Sequence, residues 1–147
     1  MSLRTLGLPF LFSIMLASCS IEPQPINYGK DACEFCKMNI VEEKFAVQCL
    51  NKKGKSFHFD DSHCLVSFLK EGSLPQKDLA AVYFSYFNKS GDWIKADSAL
   101  LLQSESIHTP MGGNTIAFRT EQERTAAANQ FNGKKLLWKD LNPFEIK

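Results

Sequence analysis

Two stretches of this chain carry the same series of signals, and that recurrence restricts the fold more than anything else in the sequence. Lys55–Phe59 alternates, with Phe57 and Phe59 on one side. Asp60 and Asp61 then stand where a helix cap belongs, ahead of Leu65, Val66, Phe68 and Leu69 at helical spacing and Gly72 as a stop. Later, residues 114–118 read as a strand, and Thr120-Glu121-Gln122-Glu123 has the form of a capping box opening a helix to about Phe131, with Gly133 ending it. The expected fold is therefore α+β, an antiparallel sheet with helices on one face, built from two similar strand-helix units.

Other elements fit around these units. Lys44–Leu50 alternates, with Phe45, Val47 and Cys49 together. Residues 51–54, Asn-Lys-Lys-Gly, make a turn that joins it to Lys55–Phe59 as a hairpin. Residues 78–87 are rich in β-branched and aromatic side chains and predict a strand. Asp97 is placed to cap a short helix over Ser98–Leu102, Lys134–Trp138 predicts a last strand, and the remaining residues read as a tail.

Ahead of the folded part, Arg4 is followed by an apolar run, Leu6–Leu16, of signal-peptide length and too short to span a bilayer. It ends in Leu16-Ala17-Ser18-Cys19-Ser20, which resembles a bacterial lipobox. Residues 1–18 then form a lipoprotein signal peptide and Cys19 is the lipidated first residue of the mature chain. Residues 19–30, with Pro23 and Pro25 and no apolar periodicity, read as a tether, and 31–147 as one domain. Acyl chains on Cys19 would hold an exported protein on a membrane, facing the periplasm, without a spanning helix. Ser20, rather than an aspartate, after the cysteine points to the outer membrane. Of 147 residues, 44% are hydrophobic and the net charge is +1, so one core is affordable and no basic footprint for nucleic acid is present.

With Cys19 assigned to lipid, Cys33, Cys36, Cys49 and Cys64 remain, in a compartment where thiols must be paired, buried or metal-bound. Cys49 shares a strand face with Val47, and Cys64 shares a helical stripe with Phe68, so both read as core cysteines. Cys33 and Cys36, in "DACEFCKMNI", admit several chemistries. One is a disulfide and another an exported thiol-disulfide oxidoreductase, although no buried strand leads into the pair. A third is half of a structural zinc site, although no second knuckle follows. The fourth is Cu(I), which favours thiolate with thioether and gives Met38 a purpose. Met111, in "HTPMGGN", is a second thioether in a loop stiffened by Pro110 and loosened by Gly112 and Gly113. His108 lies three residues from Met111, and His63 with His58 flanks Asp60-Asp61. His63 and His108 are therefore further candidate donors, set against a plain helix-cap reading of the aspartates.

Four segments in order behind a lipobox, "CEFCKMNI", "FHFDDSHCLVSFL", "GDWIKADSALLL" and "HTPMGGNTIAF", resemble the NosL family, copper-binding accessory lipoproteins of nitrous oxide reductase. The resemblance implies a Cu(I) chaperone, not an enzyme, that feeds the catalytic copper cluster of that reductase together with its assembly machinery. It also implies a two-part α+β fold similar to organomercurial lyase. Matched position by position, it makes Cys36, Met38 and Met111 the ligands, with Cys33 as a further donor, a transfer residue or a disulfide partner of Cys36.

Overall fold

The computed structural model describes residues 21–144. The leader and Cys19 lie outside the described residues. In chain order the elements are β1 Val47–Asn51, β2 Ser56–Phe59, α1 Ser62–Lys70, β3 Leu79–Ser85 and β4 Trp93–Lys95, then β5 Leu100–Gln103, β6 Thr115–Phe118, α2 Glu121–Phe131, β7 Lys134–Leu136 and α3 Trp138–Leu141. Two antiparallel sheets result, ordered β2-β1-β3-β4 and β6-β5-β7.

The two units share one topology. Each begins with a hairpin, continues into a helix, and returns with a strand that pairs with the first hairpin strand on its free side. The α+β architecture and the duplicated strand-helix unit predicted from the sequence are what the molecule has. The sheets are joined by a parallel bridge between Tyr86 and Ala117, with the Phe87 N–H donating to the Ala117 carbonyl at 3.1 Å.

Three local expectations are corrected. Ser98–Leu102 is not a helix: residues 96–98 form one 3₁₀ turn, and Leu100–Gln103 is β5, the central strand of its sheet. A strand covered on both sides has no alternation, and its run of leucines imitates a helix stripe. Trp138 is not the end of the last strand but the start of α3, with its ring edge-on to Phe84, so residues 138–144 pack instead of trailing as a tail. The first hairpin strand begins at Val47 and not Lys44: residues 43–45 form a 3₁₀ turn that sends Phe45 into the core of the second unit, away from Val47 and Cys49, and the three-residue β4 pairs with the far edge of β3.

The main core lies between α1 and the first sheet. Cys49 and Val47 on β1, Phe59 on β2, and Leu65, Phe68 and Leu69 on α1 are all buried there. Phe68 sits against both Phe57 and Phe59, with ring centroids 5.3 and 5.1 Å away. Residues 21–24, part of the stretch expected as a tether, cover the opposite face of that sheet, and Ile26 and Tyr28 pack on the main core. The Gln24 N–H donates to the side-chain oxygen of buried Gln48 at 2.8 Å, and the Gln48 amide returns a bond to the Gln24 carbonyl at 3.2 Å. The Tyr83 hydroxyl donates to the Ile21 carbonyl at 2.8 Å.

The second unit is fixed to the first by Glu123. Its carboxylate closes the capping box with Thr120 and accepts from the hydroxyl of Tyr86 and from Asn88 Nδ2, the latter at 3.0 Å. These donors, the Tyr86 hydroxyl first, pull its pKa from 4.5 down to about 2. A carboxyl depressed on folding contributes stability above its unfolded pKa and loses that contribution as pH falls through the folded value. Glu123→Gln keeps the capping box but carries no charge. We expect it to flatten the decline of stability between about pH 4.5 and 2, read as urea midpoint against pH. An acid limb as steep as that of the parent chain would show that this contact carries no linkage.

Candidate metal centre

Cys33 and Cys36 stand on a short loop closed by an antiparallel bridge between Ala32 and Asn39. The Cys33 N–H donates to the Met38 carbonyl at 2.8 Å, and the Lys37 N–H to the Cys33 carbonyl at 3.0 Å. Lys37 takes φ 64, a left-handed backbone that a side chain adopts only when neighbouring bonds require it. The loop aims amide groups at sulfur: the N–H groups of Phe35, Cys36 and Asp60 donate to the Cys33 thiol, and that of Met38 to the Cys36 thiol. This is a knuckle built for thiolates.

The third sulfur comes from the helix. Cys64 occupies the first turn of α1, fully buried, and its sulfur together with those of Cys33 and Cys36 forms a group lying within 4.8 Å of one another. Three thiolates around one ion at a metal–sulfur distance of about 2.3 Å stand roughly 4 Å apart, so little closure is needed. Cys33 and Cys64 are buried and Cys36 is half-buried. The group is open through Cys36 alone.

Its protonation follows from the hydrogen bonds. The Cys64 S–H donates to Cys33, and with the loop amides this holds the Cys33 thiol down at about 5 against the opposing effect of burial. Cys64 is pushed up because its proton is committed to Cys33 and because it is buried. Cys36 is pushed up chiefly by burial. Asp60, buried beside Cys33, is raised to about 6, mainly by burial and then by the Cys33 charge, and its Oδ1 has no hydrogen-bond partner among the described residues. A cation arriving among these sulfurs meets a thiolate already formed and relieves the repulsion between Cys33 and Asp60.

The sequence-derived candidates distribute as follows. Cys36 and Cys33 are in the group. Met38 is adjacent on the loop, with its side chain half-exposed. Met111 is half-buried on the same core and lies over the start of α1, because one carboxylate holds both pieces. Asp61, fully buried, caps α1 with Oδ1, accepting from the N–H groups of His63 at 2.9 Å and Cys64 at 3.2 Å. Its Oδ2 accepts from the Thr109 hydroxyl at 2.6 Å and from the N–H groups of Met111 and Gly113, each at 3.0 Å. Gly113 presses so closely that a Cβ there would stand 2.7 Å from the His63 nitrogen and also meet the Ser62 hydroxyl.

The histidines are not gathered in. His63 is exposed, near the Ser67 hydroxyl at 3.4 Å and edge-on to Phe35, and His108 is exposed on the Met111 loop. Among the described residues, the metal-competent group contains neither. Sequence reading missed Cys64 as a site residue. The stripe it shares with Phe68 predicts burial correctly, yet its sulfur faces the knuckle. The signal available was Asp61, since a capped N-terminus presents its first-turn side chains to whatever packs on the cap. Cys49 is wholly a core residue, its thiol raised to about 12 by burial.

Comparison with known proteins agrees with this architecture. The crystal structure of the copper chaperone NosL from Shewanella denitrificans superimposes with a TM-score of 0.73, at 21% identity, covering 85% of this chain and 98% of that one. No curated protein matches the chain. The NosL family model matches residues 25–146, nearly the whole of the domain just described, and the chain belongs to the NosL family.

Proposed function

We propose that this protein is a Cu(I) chaperone of the periplasm, anchored through lipid on Cys19, that hands its ion to nitrous oxide reductase during assembly of the catalytic copper cluster. The observation that carries the reading is the convergence of the Cys33, Cys36 and Cys64 sulfurs within 4.8 Å. Three sulfurs, with the thioethers of Met38 on the same loop and Met111 on the loop over α1, form a donor set suited to a soft monovalent ion. The structural relative named as a copper chaperone supports the same reading. Ion transfer is an exchange of ligands. An incoming thiol or thioether adds to copper at the exposed Cys36 side as one of the three sulfurs leaves, so the ion is never bare and no covalent substrate bond is made or broken. The protein is accordingly not an enzyme.

The test is Cu(I) titration of the reduced chain against a competing chromophoric chelator. One tightly held Cu(I) per chain, in a domain that keeps its native circular dichroism when the metal is stripped, is the expected result. Tighter retention of Zn(II) with unfolding on its removal would make the site a structural zinc module. Delivery is read separately, as copper gained by metal-depleted nitrous oxide reductase from the loaded chain.

A further inference from the structure

The domain has two ends, and the N-terminal segment distinguishes them. Ile21 packs on Leu50, Ala81 and Tyr83. Leu50 pairs with Ser56 at the last register position before the β1–β2 turn, so the segment begins at the turn end of the first sheet. From there it passes over Gln48 toward Ile26 and Tyr28, and the Gly29 N–H bonds to the Ile40 carbonyl beside the knuckle. Cys19 precedes Ile21 by two residues in the chain.

The β1–β2 turn at that end is basic, while the N-terminal strap brings one exposed acid, Glu22, near Tyr83. The turn carries Lys52, Lys53 and Lys55, and Lys77 is brought alongside because the Lys52 N–H donates to the Asp78 carbonyl at 2.9 Å. None of these four amines takes part in an ion pair among the described residues. Asp78 is the acidic residue of the adjoining groove, whose apolar floor is Phe57, Leu74 and Pro75 and whose rim is the three turn lysines. The sulfur group lies at the other end, beyond Phe59 and within the first turn of α1. The length of β2, roughly 13 Å, separates the two.

We propose that the β1–β2 turn and its groove form a surface that rests on anionic phospholipid headgroups and turns the sulfur group away from the bilayer. The proposal rests on the reading of Cys19 as lipidated. A lipid attached two residues before a docked strap favours placing the turn end at the headgroup layer, and lysines without carboxylate partners are what phosphate oxygens attract.

The experiment uses the full chain reconstituted in vesicles of phosphatidylcholine alone or with about 30% phosphatidylglycerol, a content enough to make the surface anionic. Amines are acetylated and each lysine is followed by peptide mass spectrometry. With phosphatidylglycerol, Lys52, Lys53 and Lys55 should react roughly 5-fold more slowly, while Lys37, beside the sulfur group, reacts at the same rate on both vesicles. Flotation with the vesicles but equal rates at all four lysines, or protection of Lys37 as well, overturns the orientation and leaves the anchor standing. Failure to float overturns the anchor and the orientation with it.

Discussion

Asp61→Ala lowers the stability of the domain by about 4 kcal/mol, the largest single loss expected outside the aromatic core. The carboxylate is fully buried and accepts through both oxygens, capping α1 on one side and holding Thr109, Met111 and Gly113 on the other. Alanine strands buried N–H groups on both sides at once, whereas an exposed cap costs only about 1 kcal/mol. Asp61→Asn sharpens the test. Its amide keeps one acceptor oxygen and turns a donor toward donors on the other side, so it can serve the helix or the loop but not both. Urea unfolding of the reduced, metal-free chain measures each loss, with asparagine expected between the parent and alanine. Asparagine equal to the parent would mean that one of the two sets of bonds contributes nothing.

Cys64→Ser should weaken Cu(I) binding by more than about 100-fold, because loss of residues that only support a metal ligand already costs 10- to 100-fold. The serine hydroxyl is a hard donor in a soft set and a poor partner for the Cys33 thiolate, so the change removes a ligand and a hydrogen bond together. Cys49→Ser is the control: the same substitution, equally buried, on a sulfur that faces the core. It should cost stability and leave the copper affinity of the folded fraction unchanged. Equal affinity in Cys64→Ser and the parent, by competition with the same chelator, would take Cys64 out of the site.

How far the molecule could be read from its residues depended on whether the signal was local. The hairpin from Val47 onward, the Asp61 cap and the Thr120–Glu123 capping box are each written within a few neighbouring residues, and all three are present, whereas Phe45, expected on the same strand, turns into the second unit's core. β5 was misread because a strand buried on both faces loses its period, so tertiary position and not local pattern sets its conformation. The metal centre divides in the same way. Cys33 and Cys36 announce themselves by spacing, whereas Cys64 is joined to them only by the packing of α1, and no one-dimensional pattern distinguishes a sulfur that faces a knuckle from one that faces a core. The role of Asp61 as the common acceptor for helix and loop was hidden for the same reason, since its partners lie 48 to 52 positions away.

The three sulfurs all belong to the first unit and its leading loop, whereas Met111 arrives from the second unit, between β5 and β6. Asp61 Oδ2, accepting from Thr109, Met111 and Gly113, ties that loop back to α1, so the thioether cannot leave the helix until those three bonds break. One buried carboxylate thus sets both where the first turn of α1 begins and how far the connection between β5 and β6 can stray from it.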